Sequence, residues 1–327
     1  GNSLTEPMRR ISQIKGDMIM PPKNKYKISR QFLSSEDQYI YKVRKIYAPD
    51  IEYINALLLN EARIGLMFTN VDSIQQSVIQ FNRRKDTKKG YAILEKEIKN
   101  LVQECDVICT MVGFPSDVKE VYEEIFKWVD AGKVCIDFTT SSPKLAEELN
   151  ALGIQKQVDI LDAPVTGGDV GAKKGTLTVL VGGKEEVYEE MKPIFESFGK
   201  DIYYCGKAGN GQYVKIANQI MIANNLQGIC EAYQYLSDMS VDENMIISCL
   251  KNGAAGSRQL DLNGQKMFDG DYAPGFYVKH FIKDLKIATS ESKVPLTGVK
   301  TVINEYLDLV DRGYSEKGTQ CLIEYFK

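Results

Sequence analysis

The chain has 327 residues, of which 43% are apolar and 26% are charged, and its formal net charge is −3 at pH 7. This length and composition predict a globular protein of about two domains of roughly 150 residues each. The weakly acidic charge argues against a nucleic-acid partner, which needs a basic face. No apolar run reaches the roughly 18 residues of a membrane-spanning helix, so we expect no membrane partner.

Cysteine and histidine usage argues against a metal site. The chain has seven cysteines and a single histidine, His280, and no CxxC pair occurs. Cys105 and Cys109 lie four residues apart without a second pair to complete a tetrahedral set, so we expect no bound metal. Thiols spread through apolar segments, without a signal-peptide pattern, are typical of a soluble cytoplasmic protein.

The first two thirds of the chain divide into an extension and an α/β domain. Residues 1–38 are basic and polar and include a Pro-Pro pair, which predicts an extension. Between residues 39 and 206, short β-branched runs alternate with amphipathic stretches, which predicts a doubly wound parallel sheet with helices on both faces. The clearest strands are expected at 106–112, 133–138, 159–162, 177–181 and 202–205, and the clearest helices at 97–104, 116–129, 142–152 and 185–198.

The remaining residues, 207–327, are predicted to form an all-helical second domain. A long and mostly apolar helix is expected at 209–237, and it would join the two domains. A helix that is apolar on most of its faces must be buried among other helices. Further helices are expected at 242–251, 257–269, 274–292 and 297–312.

Two glycine- and hydroxyl-bearing segments follow predicted strands. Met111, Val112 and Gly113 end one strand, and Thr140 follows another before a Ser-Ser-Pro helix start. The simplest interpretation is a turn and a helix cap. The carboxyl ends of parallel strands are also where such sheets bind ligands, so both interpretations stay open.

A third segment, Thr166-Gly167-Gly168, could bind a small carboxylate. Successive glycines can turn their N–H groups toward an anion because no Cβ blocks the approach. A tight turn that needs a positive φ explains the same glycines equally well.

Lys215 is the strongest candidate for chemistry. Lysines are rare in apolar helices because burial of the ammonium group is costly, although a lysine near a helix end can extend its ammonium group to water. Asn218 and Gln219 follow three and four residues later, so they share its helix face. By contrast, Lys283-Asp284 is expected to be an ordinary surface pair and His280 a structural or surface residue.

Together these segments resemble the 3-hydroxyisobutyrate dehydrogenase family of β-hydroxyacid dehydrogenases, from about residue 89 to the end of the chain. The motifs are Gly-Phe-Pro-Ser-Asp-Val, Asp-Phe-Thr-Thr-Ser-Ser-Pro, Asp-Ala-Pro-Val-Thr-Gly-Gly, Gly-Thr-Leu-Thr, Gly-Asn-Gly-x-x-x-Lys-x-x-Asn-Gln and Lys-Asp-Leu. The resemblance implies a Rossmann domain at 39–206, an NAD or NADP cofactor, and a homodimer or homotetramer formed through the helical domain at 207–327.

The resemblance also implies a role for each site residue. Lys215 would be the catalytic acid and base, and the substrate carboxylate would be bound by Thr166, Gly167 and Gly168. Gln219, with Asn218 beside it, would be the polar partner on the helix. The cofactor would be bound by Met111, Val112, Gly113, Thr140 and Lys283. Many members of the family have serine at the position of Thr166 and asparagine at that of Gln219, and both changes keep a hydrogen-bonding group.

The N-terminal part departs from the family, because the G-x-G-x-x-G that accepts a pyrophosphate is missing. In one alignment residues 63–68 form the first strand and Phe68, Asn70 and Ser73 replace the glycines, which leaves little room for the first helix. The favoured alignment takes 42–46 as the first strand, 51–62 as the first helix and 63–69 as the second strand. In that alignment Tyr47, Pro49 and Glu52 stand at the glycine positions, and Glu52 repels a pyrophosphate.

Two functions are compatible with this sequence. The first is an NAD(P)-dependent dehydrogenase or reductase of a small β-hydroxyacid or semialdehyde. The second is a non-catalytic relative that binds carboxylates or acts as a scaffold, with weak or absent dinucleotide affinity. NADP is slightly favoured over NAD, although Arg83 and Arg84 support this choice only in the first alignment.

Overall fold

The computed structural model describes the backbone of three strands, 39–46, 64–69 and 90–94, and residues 98–327 apart from Ser197. The expected extension at 1–38, the expected helix at 51–62 and all the proposed glycine replacements except Phe68 lie outside these residues. The described chain divides into two compact units, Gly1–Lys215 and Ile216–Lys327.

The first unit contains one sheet of nine described strands in the order β3-β1-β2-β4-β5-β6-β8-β7, with β9 paired to β8. The strands are β1 (Tyr39–Ile46), β2 (Ile64–Thr69), β3 (Gly90–Leu94), β4 (Val107–Thr110), β5 (Val134–Asp137), β6 (Asp159–Asp162), β7 (Val165–Thr166), β8 (Leu177–Gly182) and β9 (Gly199–Gly206).

The order of these strands contradicts the favoured alignment. In a Rossmann sheet of order 3-2-1-4-5-6 the first strand lies beside the fourth. Here β2 pairs with β4 through Ile64↔Val107 and Met67↔Thr110, and β1 lies on the other side of β2. The segment Ile64–Thr69 therefore occupies the first-strand position. The alignment was wrong because it rested on spacing along the chain, which does not decide which strands pair in the sheet.

The strands from β3 to β6 are parallel, as predicted, but the sheet is mixed at its far edge. Strand β8 runs antiparallel to β6 through Asp162↔Gly182 and antiparallel to β7 through Val165↔Val179. The two-residue strand β7 was not predicted, since two residues carry no detectable period-2 pattern.

Helices cover both faces of the sheet because its central strands are apolar on both faces. Alternate residues of β4 and β5 belong to different buried clusters: Cys109 and Ile136 pack in one, and Ile108 and Cys135 in the other. Such continuous apolar strands are typical of a parallel sheet that is buried on both sides. The helices are α1 (Ile98–Glu104), α2 (Pro115–Trp128), α3 (Pro143–Gln155), α4 (Gly168–Lys174) and α5 (Glu185–Glu196).

The second unit is helical, as predicted, with its own buried cluster of side chains. Its helices are most of α6 (Asn210–Asp238), α7 (Arg258–Asp269), α8 (Val278–Glu291) and α9 (Thr297–Asp311), followed by a 3₁₀ segment at Thr319–Tyr325. The division between the units falls inside α6, after Lys215.

Two predicted helices of this unit are shorter than expected. The helix at 242–251 is reduced to one π-helical turn, Ile246–Leu250, because the Asp242 carboxylate accepts the Asn244 N–H and bends the backbone. The helix at 274–292 begins only at Val278, because Tyr277 is extended and forms a β-bridge with Gly318.

Helix α6 begins in close contact with the sheet. A Cβ added at Gly211 would lie 2.4 Å from the carbonyl oxygen of Leu180 and 2.8 Å from that of Asp162. Both atoms are backbone and cannot rotate away, so the helix can approach the strands this closely only with glycine at this position.

We therefore expect Gly211→Ala to lower the free energy of unfolding by about 1–3 kcal/mol, because the added methyl group forces the backbone apart. Gly228→Ala on the same helix is the matched control, since a Cβ there meets nothing within 4 Å. Alanine at Gly228 should be neutral or stabilise by up to about 1 kcal/mol. Urea unfolding of both variants measures the difference, and equal stabilities would contradict this packing.

Candidate active site

Two loops at the carboxyl ends of β4 and β5 are hydrogen-bonded to each other. The N–H of Val112 donates to Thr139 Oγ1 at 2.9 Å, and the N–H of Thr139 donates to Asp137 Oδ1 at 3.1 Å. Thr110 Oγ1 also donates to Asp137 Oδ1 at 2.9 Å. These contacts place the Met111–Gly113 turn beside the loop that contains Thr140.

Asp137 is the buried centre of these contacts. Burial raises the pKa of its carboxyl group to about 6, and the hydrogen bonds from Thr139 and Thr110 oppose that rise. A single carboxylate thus fixes the ends of two neighbouring strands at the ligand-binding edge of the sheet.

A second buried carboxylate, Asp162, ends the next strand and accepts two N–H groups at the start of α6. Its Oδ1 accepts from Gly209 N at 2.8 Å and its Oδ2 from Gln212 N at 3.0 Å. The first N–H groups of a helix have no partner within the helix, and a negative charge at this end is favourable. Burial raises the pKa of Asp162, and these N–H donors oppose that rise.

Gln212 connects the same helix to the β5 loop. Its side chain is fully buried, its Oε1 accepts from Ser141 N at 2.9 Å, and its Nε2 donates to Thr139 O at 2.6 Å. The carboxyl ends of three successive strands are therefore attached to one helix start.

Lys215 lies on that helix three residues after Gln212, and it is buried, with 7% of its surface exposed. Residues three apart on a helix lie on one face, so Lys215 projects from the same face as Gln212. The sequence argument that a lysine in an apolar helix is unusual agrees with this burial.

The Thr166-Gly167-Gly168 segment forms a turn into the short helix α4. Gly167 has φ +128° and Gly168 has φ +61°. Both glycines therefore have the positive φ that the tight-turn interpretation requires. A Cβ at Gly168 would meet nothing within 4 Å, so the backbone there borders open space. The N–H groups at this helix start have no acceptor within α4 and can bind an anion.

The remaining predicted residues meet in the second unit. Asn218 Nδ2 donates to Gln219 Oε1 at 2.8 Å, and Gln219 Nε2 donates to Asp284 Oδ2 at 2.7 Å. Lys283 Nζ lies 2.9 Å from Asp284 Oδ1, and the Asp284 side chain has no exposed surface. The interpretation of Lys283-Asp284 as a surface pair is wrong, because the pair is buried and ends a chain of amides.

Four residues of this arrangement were not predicted as site residues: Asp137, Asp162, Gln212 and Asp284. Asp137 and Asp162 each end a short buried strand, and a carboxylate at such a position indicates a buried polar group without identifying its partners. The distant partners of these four residues are 27, 47, 50, 65 and 71 residues away in the chain, so the pairing itself could not be predicted.

His280 lies in the interior of the second unit and not at its surface. It is 5% exposed, and its ring lies 6.1 Å from that of Tyr277. Burial lowers the pKa of His280 to about 4, and the positive charges of Lys283 and Lys279 add to the effect.

A buried hydroxyl group at the β4–β5 edge would suit a polar group of the dinucleotide that the sequence predicts. The Ser141 hydroxyl is buried without a hydrogen-bond partner among the described residues, so the loop has polar capacity that the fold does not use. Among all the described residues, no group of three or more His, Cys, Asp or Glu side chains could hold a metal ion. No described helix is long and apolar enough to cross a membrane.

Two family models match the chain. Residues 63–206 match the NAD binding domain of 6-phosphogluconate dehydrogenase, and residues 209–325 match the NAD-binding domain of NADP-dependent 3-hydroxyisobutyrate dehydrogenase. The first match begins at the strand that occupies the first position of the sheet.

Three individual proteins are also similar to this chain. An uncharacterized oxidoreductase of Bacillus subtilis is 39% identical over 271 residues, which are 81% of this chain and 91% of that protein. The 2-hydroxy-3-oxopropionate reductase of Escherichia coli is 36% identical over 62% of this chain and 70% of its own. The solved structure of 3-hydroxyisobutyrate dehydrogenase from Mycobacterium tuberculosis with L-serine has a TM-score of 0.72 at 20% identity, covers 88% of this chain and 99% of its own, and thereby shows the fold.

The lowered pKa of His280 predicts a loss of stability in acid. The folded pKa of about 4 lies below the unfolded value of roughly 6.5, so the neutral ring stabilises the fold above pH 6.5 and this contribution is lost as the pH falls toward 4. Between pH 7.5 and pH 5 the loss should be about 2 kcal/mol.

Urea unfolding of the wild type and His280→Gln at both pH values measures this contribution. The glutamine variant should lose less stability by about that amount. An identical loss in both proteins would show that His280 titrates normally.

Proposed function

Because the chain belongs to the 3-hydroxyisobutyrate dehydrogenase family of NAD(P)-dependent β-hydroxyacid dehydrogenases, we propose that it interconverts a small β-hydroxyacid and its semialdehyde with Lys215 as proton donor and acceptor. The observation that carries this proposal is the burial of Lys215 on a helix whose first turn is hydrogen-bonded to the carboxyl ends of β5 and β6. That arrangement gives the ammonium group a fixed position and shields it from water.

The cofactor is NAD or NADP, and when bound its reduced nicotinamide supplies a hydride to the substrate carbonyl carbon. We propose that Met111, Val112, Gly113 and Thr140 border the nicotinamide and that Lys283 contacts the cofactor. NADP is the proposed preference, which is supported by the NADP-dependent family model that matches residues 209–325.

In this proposal Lys215 transfers a proton from Nζ to the substrate oxygen, which becomes a hydroxyl group. In the reverse direction the neutral amine removes that proton. General acid catalysis of this kind contributes about 10²–10⁴-fold to a rate. The ammonium group also stabilises the negative charge that develops on the oxygen.

The substrate carboxylate would be bound by the Thr166 hydroxyl and by the N–H groups of Gly167 and Gly168. The positive φ values and the open space at Gly168 support this role. Asn218 and Gln219 would contact the polar end of the substrate, with the Gln219 amide oriented by Asp284. A small oxoacid such as the one named for the Escherichia coli relative has the carboxylate and the carbonyl group that this set of residues would bind.

We also propose domains at 39–206 and 207–327, an extension at 1–38, and a cytoplasmic homodimer or homotetramer. Exposed apolar side chains on α6 support association of the helical domain, among them Met221 and Tyr235, which are 67% and 63% exposed. Exposed apolar side chains that form a contiguous patch are typical of an interface. None of the seven cysteines, all of which the structure describes, forms a disulfide, which agrees with a reducing compartment.

The role of Lys215 predicts the behaviour of Lys215→Ala. Its turnover of a small β-semialdehyde should fall about 10²–10⁴-fold, because the proton donor is lost. Its Kd for NADPH should stay within about 3-fold, because Lys215 serves the substrate oxygen and not the dinucleotide. Steady-state kinetics and fluorescence titration measure both, and Lys200→Ala, an exposed lysine on β9, is the matched control.

Turnover of Lys215→Ala within about 3-fold of the wild type would refute the assigned role. A wild type that binds neither NADPH nor NADH and turns over no semialdehyde would instead favour the carboxylate-binding scaffold.

A further inference from the structure

The structure assigns a positioning role to Gln212, a residue that touches neither substrate nor cofactor in the proposed mechanism. We propose that its amide fixes the distance between the loop that borders the nicotinamide and the helix that carries Lys215. This inference rests on the proposed function, because it concerns the relative placement of the hydride donor and the proton donor.

The amide of Gln212 matches the β5 loop at both of its polar ends. Its oxygen accepts from the N–H of Ser141, and its nitrogen donates to the carbonyl of Thr139. The two backbone groups flank Thr140, so a single side chain spans the residue proposed to face the cofactor. Gln212 has no exposed surface, so water does not compete for these bonds.

The link continues on both sides of Gln212. On the sheet side, Thr139 accepts the N–H of Val112, which attaches the β4 loop to the same assembly. On the helix side, the Gln212 backbone is held by the Asp162 carboxylate. A continuous series of buried bonds therefore runs from the Val112 turn to the first turn of α6, one turn before Lys215.

This geometry affects the rate of hydride and proton transfer more than the affinity for the cofactor. Productive proton and hydride transfer needs the reacting groups placed to within a fraction of an ångström, and a displacement of about 1 Å costs on the order of 10²-fold in rate. Loss of the Gln212 amide leaves the side chains of Thr140 and Lys215 unchanged. It removes the buried hydrogen bonds that hold the β5 loop against the helix.

The first test is Gln212→Met, which keeps the length and removes both hydrogen bonds. Its kcat should fall about 10–100-fold while the Kd for NADPH changes by less than about 3-fold. The matched control is Gln320→Met in the helical unit, another buried glutamine whose Nε2 donates to two backbone carbonyls, those of Asp271 and Ala273. The control should lose comparable stability and keep its kcat.

A second readout does not depend on turnover. In the enzyme without cofactor, the amide of Ser141 should exchange with deuterium at least about 10-fold faster in Gln212→Met than in the wild type, because its acceptor is gone. Exchange at Ser141 should be unchanged in Gln320→Met.

The third test is Gln212→Glu, because the pH decides whether the introduced carboxyl group is ionised or protonated. The ionised carboxylate cannot donate to Thr139 O, whereas the protonated acid can donate there and still accept from Ser141 N. The ratio of its kcat to that of the wild type should therefore rise as the pH falls. The charged groups around Gln212 are the same in both proteins, namely Asp137, Asp162, Lys215 and Glu147 of α3, which lies against Gly209, so the ratio removes their contribution.

Three outcomes would overturn the inference: an unchanged kcat in Gln212→Met, unchanged exchange at Ser141, or a kcat ratio for Gln212→Glu that is flat with pH. If Gln212→Met does not fold, Gln212→Asn, one methylene shorter with both polar groups kept, takes its place with the same expectations. Absence of turnover in the wild type would refute the proposed function and not this link, which the exchange measurement tests separately.

Discussion

The structure depends on one buried contact, the carboxylate of Asp162 at the start of α6. This carboxylate ends strand β6 and accepts the N–H groups of Gly209 and Gln212. A charged acceptor bound by two otherwise unpaired N–H groups is worth more than a neutral hydrogen bond, about 1.5–3 kcal/mol each. The contact fixes where the helix begins, and the position of Lys215 five residues further on follows from helix geometry.

The close approach that this contact requires explains the local sequence. Gly211 lets the helix start lie against the carbonyls of two strands, and Gln212 uses its side chain on the neighbouring loop while its backbone binds Asp162. The first turn of α6 thus packs against two strands, binds a carboxylate through its N–H groups, and is hydrogen-bonded to the β5 loop. A polar assembly that is fully paired in this way stabilises a unique arrangement, whereas one that lacked a partner would cost stability.

Much of the fold could be predicted from sequence, because β-branched runs of four to six residues and amphipathic helices have clear periods. The strand at Asp159–Asp162 and the helices α3, α6 and α7 lie within three residues of their expected bounds. Sheet order could not be predicted, because the neighbours of Ile64–Thr69 are set by contacts distant in the chain. In the site, Lys215 and the Thr-Gly-Gly turn could be recognised by residue type. Asp162 and Gln212 could not, because a buried carboxylate or amide acquires its role only from partners that the fold brings near.

The contact between Asp162 and the helix start can be measured directly by native-state hydrogen exchange at the amides of Gly209 and Gln212. The account predicts strong protection of both amides in the wild type. In Asp162→Asn, at least one should exchange about 10–100-fold faster, because a carboxamide offers one oxygen in place of two. Equal protection of both amides in the two proteins would show that Asp162 does not hold the helix, and the placement of Lys215 would then need another explanation.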